Sequence, residues 1–275
     1  METQKIAFIG AGNMATALIS GLISDGFDPK KLWASDPEDK HLNYLEQEFK
    51  INTCCDNKVA VNNSDIVVLC IKPQIMKNIC EEIADAVSTY QSTVVSIAAG
   101  IRVENLGKWL GEKTPLVRAM PNTPALIKTG ATGLYANNFV EDSKKSIAEK
   151  IMRAVGVVLW LDQEKEMDYV TALSGSGPAY FFRIMEAMEK SAIELGLSTE
   201  AAHVLTLQTA LGASKLAMES SESLETLREK VTSPGGTTEK GLAVMEDMKI
   251  EKIIQETLSA ASIRAEELAK EFGDK

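Results

Sequence analysis

Short apolar runs alternate with amphipathic stretches through the first part of the chain. The amphipathic stretches predict helices at Asn13–Ser24, Pro37–Phe49 and Pro73–Val87. The apolar runs predict strands at Lys5–Ile9, Lys31–Ala34, Ile51–Cys54, Ile66–Ile71, Thr93–Ala98, Leu116–Ala119, Ala131–Tyr135 and Val157–Leu161. Nearly continuous apolar strands separated by helices are typical of a parallel sheet covered on both faces.

The pattern changes at Glu164, beyond which only helical segments are predicted. We therefore expect an α/β domain over residues 1–163 and an all-helical domain over residues 164–275. Small residues recur between Ala201 and Met218, which permits close contact between helices. Because the helical domain cannot bury its apolar faces by itself, we expect a homodimer. The charged stretch Glu266–Lys275 is interpreted as a solvated helix end.

Composition and charge narrow the classes of function. The 275 residues are 45% hydrophobic and 25% charged, as in a globular protein. The net charge of −10 repels nucleic-acid phosphates, so no nucleic-acid partner is expected. No apolar run is long enough to cross a membrane and no signal peptide is evident, which predicts a cytoplasmic protein. The four cysteines and two histidines form no metal-ligand motif, so no metal is expected.

The most informative N-terminal motif is Gly10-Ala11-Gly12-Asn13-Met14-Ala15, which follows the first strand and opens a helix. In this context Gly10 permits a tight turn and Gly12 lets a pyrophosphate approach the backbone. Ala15 lets the helix pack closely on the strand. The helix N-terminus then offers N–H groups to the phosphates. The motif predicts a dinucleotide site.

The end of the second strand leaves the choice of dinucleotide open. Asp36 can bind the ribose 2′-hydroxyl and repel a 2′-phosphate, whereas the Ser35 hydroxyl suits a phosphate. Asp36 has an equal alternative as the N-cap of the helix that follows Pro37.

Two further loops are open to two interpretations each. The Ser233–Thr238 loop places two glycines and two hydroxyls before a helix, as in an anion pocket or in a simple capped turn. The Ser174–Pro178 segment is a helix-start loop or a lining of the cofactor cleft; it lacks the frame of a nucleophile elbow.

Taken together, these motifs resemble the pyrroline-5-carboxylate reductase family along essentially the whole chain. The stretches that carry the resemblance are Phe8–Met14, Ile71–Pro73, Ser96–Ile101, Arg118–Pro124, Leu173–Tyr180 and Ser233–Thr238. The resemblance implies a Rossmann domain at 1–163 followed by a helical dimerisation and substrate domain at 164–275. It implies reduction of 1-pyrroline-5-carboxylate to L-proline, with hydride transfer to the C=N carbon. It also implies a homodimer, able to form larger rings of dimers, with each active site between one subunit's cofactor and its partner's helices.

The resemblance also assigns roles to residues. NADPH is the expected cofactor, with NADH usable as well. Ser35 and Asn57 are expected near the adenosine 2′-phosphate, and Glu164 on the substrate side. Thr238 is expected to orient the imine nitrogen, as the catalytic residue. The residues expected at the pyrophosphate are Gly10, Ala11, Gly12, Asn13 and Met14. Those expected near the nicotinamide are Ile71, Lys72, Pro73, Ala98, Ala99 and Gly100. The substrate carboxylate is expected to bind Ser233, Gly236, Thr237 and Thr238.

The sequence supports two rival functions less well. β-Hydroxyacid dehydrogenases use a lysine a few residues after a Gly-x-Gly, but here Gly175-Ser176-Gly177 is followed by Arg183 and the next lysine is Lys190. A catalytically silent NADP-binding protein would not need the intact Ser233–Thr238 loop.

Overall fold

The computed structural model describes residues 4–273, which form two compact units. The first unit runs through Ser176 and also takes in the residues from Ala260 onward. The second unit is Gly177–Ser259. The predicted domain boundary between residues 163 and 164 stays a prediction. A division into compact units and a division into sequence domains need not fall at the same residue.

An eight-stranded sheet organises the first unit, in the order β3-β2-β1-β4-β5-β6-β7-β8. Its strands are β1 (Ile6–Ile9), β2 (Leu32–Ser35), β3 (Asn52–Cys54), β4 (Ile66–Leu69), β5 (Thr93–Ser96), β6 (Leu116–Met120), β7 (Gly130–Ala136) and β8 (Gly156–Trp160). The chain reverses its direction of winding between β1 and β4, which are neighbours. Ligands of doubly wound sheets bind at the carboxyl ends of strands at such a switch point.

The prediction of a parallel sheet holds from β1 to β6 and is wrong beyond it. β7 pairs antiparallel with β6, and β8 runs parallel to β7. The reason is the length of the β6–β7 connection, residues 121–129, which includes a short 3₁₀ turn at Thr123–Ile127. A parallel crossover needs about a dozen residues or more, so this connection forces the chain to return antiparallel.

Helices cover both faces of this sheet. They are α1 (Asn13–Ser24), α2 (Asp39–Phe49), α3 (Asn57–Asn62), α4 (Met76–Tyr90), α5 (Val103–Leu110), α6 (Asp142–Arg153) and α7 (Glu166–Val170). Alternate residues of one strand face opposite cores: Ile6 and Phe8 lie in one apolar cluster, and Ala7 and Ile9 lie in the other. All four are fully or almost fully buried. The expectation of a sheet covered on both faces is therefore confirmed.

The second unit contains helices only, within the part of the chain that the structure describes. They are α8 (Gly177–Glu194), α9 (Thr199–Glu219), α10 (Leu224–Lys230), α11 (Thr237–Asp247) and the first part of α12 (Ile250–Gly273). Large apolar side chains remain exposed along these helices, including Phe181, Phe182, Leu205, Leu211 and Met218. Across residues 4–273, no helix combines the length and apolar character needed to span a membrane.

The end of α12 differs from the solvated helix end that its charges suggest. Ala265 and Ala269 are buried, and Phe272 packs against the apolar cluster beside β4 and β5. Charged residues lie between these positions; Arg264, for example, pairs with Glu267 and Glu271. One face of this helix is thus part of the first unit's core, and residues 274–275 lie outside the described part.

Candidate functional site

The glycine-rich turn of the dinucleotide motif, Gly10–Gly12 (the fingerprint turn), lies at the switch point of the sheet. Its first glycine leaves no room for a side chain. Gly10 follows β1 with φ +94°, a conformation that L side chains rarely adopt. A Cβ atom there would lie 2.5 Å from the carbonyl oxygen of Cys70. The Gly10 N–H also donates to the Ser35 carbonyl at 2.8 Å. The turn therefore locks the ends of β1, β2 and β4 together.

Gly12 has the opposite surroundings, because open space lies where its side chain would be. No atom lies within 4 Å of a Cβ built at Gly12. Gly12 is the N-cap of α1, which has no acidic residue in its first turn and no side chain capping it. Exposed N–H groups at a helix N-terminus, facing an open space, form a cradle for phosphate. Gly10, Ala11, Gly12, Asn13 and Met14 thus fit a dinucleotide pyrophosphate.

Asp36 binds the fingerprint turn itself. Its Oδ2 accepts a hydrogen bond from the Ala11 N–H at 2.8 Å, and its Oδ1 accepts one from the Glu38 N–H at 2.9 Å. Because α2 begins at Asp39 with Glu38 as its N-cap, Asp36 is not the cap of this helix. The nearest cationic candidate is His41, whose Nδ1 lies 3.5 Å from Asp36 Oδ1. Asp36 therefore stabilises the turn between β1 and α1.

Ser35 and Asn57, both expected near the adenosine 2′-phosphate, form a hydrogen bond with each other. The Ser35 hydroxyl donates to Asn57 Oδ1 at 2.6 Å, and Asn57 Nδ2 donates to Glu82 Oε1 at 3.2 Å. Ser35 is completely buried, whereas Asn57 is partly exposed. The buried Ser35 hydroxyl thus orients the Asn57 side chain, and Asn57 is the member of the pair that a ligand can reach.

The segments after β4 and β5 lie side by side at the same edge of the sheet. Lys72 and Pro73 begin a 3₁₀ turn directly after β4, and Lys72 is exposed. The Ile97 N–H donates to the Leu69 carbonyl at 3.2 Å, which ties the two strand ends together. Ile71 adjoins the fingerprint, since its Cγ2 would lie 3.0 Å from a Cβ at Gly10. The pyrophosphate and nicotinamide residues predicted in the first unit therefore share one edge.

Gly100 makes a contact that the sequence does not reveal. It has φ +74°, and a Cβ there would lie 3.1 Å from Phe272 Cδ2 and 3.3 Å from Leu268 Cβ. The C-terminal end of α12 therefore closes over the Ala98–Gly100 segment. A lone Phe272 within the charged tail is the only sequence signal for this contact.

Glu164 forms an ion pair with Arg118, and a second ion pair joins Arg102 and Asp168. Arg118 Nη1 lies 2.7 Å from Glu164 Oε1, and Arg102 Nη2 lies 3.0 Å from Asp168 Oδ2. Arg118 is only 4% exposed. Glu164 Oε1 also accepts the N–H of Val103, the first residue of α5, at 2.8 Å. This predicted substrate residue therefore has partners within its own unit.

The Ser233–Thr238 loop in the second unit is a turn with an exposed helix start. Gly235 has φ +73°, and its N–H donates to Glu239 Oε2 at 2.9 Å. The Gly236 N–H donates to the Ser233 carbonyl at 2.9 Å. Gly236 is the N-cap of α11, and Thr237 and Thr238 are exposed in its first turn. These two hydrogen bonds close the turn, no side chain of the described residues caps Gly236, and the threonine hydroxyls stay available to a ligand.

The Ser174–Pro178 segment is not a helix-start loop. The chain passes from α7 through one turn of π-helix, Thr171–Gly175, into α8. Asn122 Nδ2 donates to both the carbonyl and the hydroxyl oxygen of Ser174 at 3.2 Å. A Cβ at Gly175 would lie 2.5 Å from Met120 Cε. These contacts hold the segment against β6 and the residues directly after it.

The remaining titratable groups add no second centre. Across residues 4–273, no group of three or more His, Cys, Asp and Glu side chains could hold a metal ion. Cys54, Cys55, Cys70 and Cys80 are free thiols. Burial raises the pKa of the Cys80 thiol to about 12, so this thiol stays protonated at neutral pH.

Comparison with known protein families divides the chain into two matches. Residues 5–100 match the family described as NADP oxidoreductase, coenzyme F420-dependent. Residues 164–268 match the family described as pyrroline-5-carboxylate reductase dimerisation.

Similar proteins cover the full length of the chain. The pyrroline-5-carboxylate reductase of Pseudomonas aeruginosa is 48% identical over 99% of this chain and 100% of its own. Among solved structures, the pyrroline-5-carboxylate reductase of Coxiella burnetii has a TM-score of 0.94 at 44% identity, covering 97% of this chain and 99% of that one. The pyrroline carboxylate reductase of Plasmodium falciparum, solved with NADP bound, has a TM-score of 0.86 at 27% identity over 98% and 99%.

Proposed function

The chain belongs to the pyrroline-5-carboxylate reductase family, and on that premise we propose how its residues divide the work. Its reaction is the last step of proline biosynthesis, the NAD(P)H-dependent reduction of 1-pyrroline-5-carboxylate to L-proline. The observation that carries the proposal is the open cradle at Gly12, at the switch point of the sheet. When bound there, the reduced cofactor supplies a hydride to the C=N carbon.

We propose that the first unit binds the cofactor along the edge formed by β1, β4 and β5. The α1 N-terminus, from Gly12 through Met14, holds the pyrophosphate with its N–H groups. The segments Ile71–Pro73 and Ala98–Gly100 bind the nicotinamide end. Gly10 and Ala11 support the cradle, Gly10 through its tight turn and Ala11 through its hydrogen bond to Asp36. Each of these residues lies on or directly after a buried strand, which limits its movement.

We propose that NADPH is the preferred cofactor and that NADH is also used. Asn57, oriented by the buried Ser35 hydroxyl, can donate to a 2′-phosphate. Both oxygens of Asp36 already accept backbone N–H groups, so this carboxylate is turned towards the fingerprint. The NADP bound to the Plasmodium falciparum relative supports the same preference. The ratio of kcat/KM for NADPH to kcat/KM for NADH tests it; a ratio below one would reverse it.

We propose that the Ser233–Thr238 loop binds the substrate. Ser233, Gly236 and Thr237 hold the ring carboxylate, with N–H groups and hydroxyls at the start of α11. Thr238 orients the imine nitrogen through its exposed hydroxyl. A protonated imine is already electrophilic, so the residues have to orient it and exclude water rather than polarise it. The family resemblance puts Glu164 on the substrate side as well.

We also propose a homodimer that can extend to a ring of dimers, acting in the cytoplasm. The exposed apolar residues of α8 and α9 support the dimer, because helices of this kind are stable only when covered. Native mass spectrometry gives the subunit number, and fractionation of the source cells gives the location. A monomer at micromolar concentration would contradict the first part of this proposal.

A further inference from the structure

Arg118 is a buried cation with one acidic partner among the described residues. It lies in β6, is 4% exposed, and reaches Glu164 Oε1 through Nη1 at 2.7 Å. Its Nε has no hydrogen-bond partner within residues 4–273. A buried charge is costly unless it is paired. The position of the Arg118 guanidinium is therefore coupled to the Glu164 carboxylate.

The same carboxylate oxygen holds the start of a helix. Glu164 Oε1 accepts the Val103 N–H at 2.8 Å, and Val103 is the first residue of α5. A carboxylate at a helix N-terminus is favoured by the unpaired N–H groups and by the helix dipole. Arg118 thus fixes Glu164, and Glu164 fixes the first turn of α5.

The residues directly before α5 form the segment expected at the nicotinamide, Ala98–Gly100. One end of this segment is tied to β4, because the Ile97 N–H donates to the Leu69 carbonyl. Its other end leads through the fully buried Ile101 to Val103. Gly100 lies against Phe272 and Leu268, since a Cβ at Gly100 would be 3.1 Å from Phe272 Cδ2 and 3.3 Å from Leu268 Cβ. The Val103–Glu164 hydrogen bond therefore sets where the segment's C-terminal end lies.

We propose that Arg118 and Glu164 are positioning residues of the reductase. Their ion pair sets the place of α5, and through α5 the place of the Ala98–Gly100 segment against the nicotinamide. The inference rests on the proposed role of that segment. It differs from a direct substrate role for Glu164, since it predicts an effect on the nicotinamide end of the cofactor rather than on the imine.

The test compares the whole cofactor with a fragment that lacks nicotinamide. Calorimetry measures the affinity of Glu164→Ala for NADP⁺ and for 2′-phospho-ADP-ribose. We expect the NADP⁺ affinity to fall about tenfold, the scale of one lost hydrogen bond to a charged group, and the fragment affinity to stay within about twofold. The kcat for the cyclic imine should fall by about 10- to 100-fold, as for a misplaced reacting group, and its KM should stay within about twofold.

Two further variants separate positioning from loss of structure. Glu164→Gln keeps an oxygen that can accept the Val103 N–H, so it should recover most of the NADP⁺ affinity. If Glu164→Ala does not fold, the double variant Glu164→Ala with Arg118→Met removes the unpaired buried charge and should show the same selective loss. The control is Glu149→Ala, since Glu149 accepts from Arg153 at 2.7 Å and from Trp160 at 2.8 Å, away from this edge. It should leave both affinities unchanged.

Three results would overturn the inference. An equal fall in the affinities for NADP⁺ and for the fragment would show that the Arg118–Glu164 pair only maintains the fold. A rise in KM for the imine with unchanged NADP⁺ affinity would make Glu164 a substrate contact. Unchanged NADP⁺ binding and turnover in a folded Glu164→Ala variant would leave the Arg118–Glu164 pair without a role. Because the binding measurements need no turnover, a wild-type protein that bound NADP⁺ but did not reduce the imine would contradict the proposed function and not this inference.

Discussion

The two compact units bury their apolar side chains to very different degrees. In the first, both faces of the sheet are covered, and residues such as Phe8, Leu18 and Ile83 are fully buried. In the second, Gly177, Ala202 and Thr206 are the buried residues among those described, while Phe182 and Leu211 are more than half exposed. The first unit therefore holds a core of its own, whereas the second leaves most of its large apolar side chains exposed. The contrast suggests that coenzyme binding is a property of one subunit and that the helical unit depends on assembly.

The strongest test of the first unit contrasts its two fingerprint glycines. Gly10→Val places a side chain against the Cys70 carbonyl at a positive φ, so we expect a loss of about 3 kcal/mol or more in the free energy of unfolding. At Gly12 a Cβ would have no atom within 4 Å, so Gly12→Val should fold normally yet bind NADP⁺ at least about 100-fold more weakly. Chemical denaturation and calorimetry measure the two effects. Normal NADP⁺ affinity in Gly12→Val would refute the cradle.

The second unit is tested by a charge placed on its exposed apolar surface. Leu211→Glu should shift the protein from dimer to monomer at micromolar concentration, because a buried unpaired carboxylate at an interface costs several kcal/mol. Sedimentation velocity measures the subunit number. The matched control is Tyr90→Glu, because Tyr90 is a large side chain of the first unit that is 52% exposed, against 60% for Leu211. If both variants stayed dimeric, the α8 and α9 surface would not be the interface.

Thr238 tests whether the second unit contributes to the chemistry. Thr238→Ala should lower kcat/KM for the cyclic imine by about 10- to 100-fold, the range for a lost hydrogen bond that is strongest in the transition state. The affinity for NADP⁺ should stay near that of the wild type. Thr257→Ala is the control, since its hydroxyl donates only to the Ile253 carbonyl of its own helix at 2.8 Å. Unchanged turnover in Thr238→Ala would remove this hydroxyl from the reaction.

A smaller effect concerns the thiols of the first unit. The pKa of Cys80 is about 12 in the folded protein against 9.0 for an ordinary thiol, through burial and the nearby Glu81. A folded-state pKa above the unfolded value stabilises the fold fully below about pH 9, and this contribution is lost as the pH rises from there towards 12. Replacing Cys80 with alanine should make the decline in stability above pH 9 shallower.

The reactivity of the thiols should also differ between exposed and buried cysteines. At pH 8 a thiol reagent should modify the exposed Cys55 in the native protein and Cys80 only after unfolding. Rapid modification of Cys80 in the native protein would show that the core beside α4 opens readily.

The sequence predicts much of the first unit for a physical reason. β1 and β4 are buried along their whole length and apolar throughout, so both runs are visible in the sequence, and the Gly10 and Gly12 positions follow from the turn they form. The direction of β7 could have been inferred from the short connection before it. The contacts of Glu164 and Phe272 could not, because they join segments far apart in the chain. The small residues of Ser174–Pro178 suggested a loop, but small residues occur at close packing contacts as well as in loops.

The central claim is that this protein transfers a hydride from a reduced nicotinamide to the ring carbon of the cyclic imine. Its most direct test uses NADPH deuterated at nicotinamide C4, in the transferred position, with 1-pyrroline-5-carboxylate and the wild-type protein. We predict L-proline carrying one deuterium at C5, formed in step with cofactor oxidation and lost in Gly12→Val. Proline without deuterium, or oxidation of the cofactor without proline, would contradict the account.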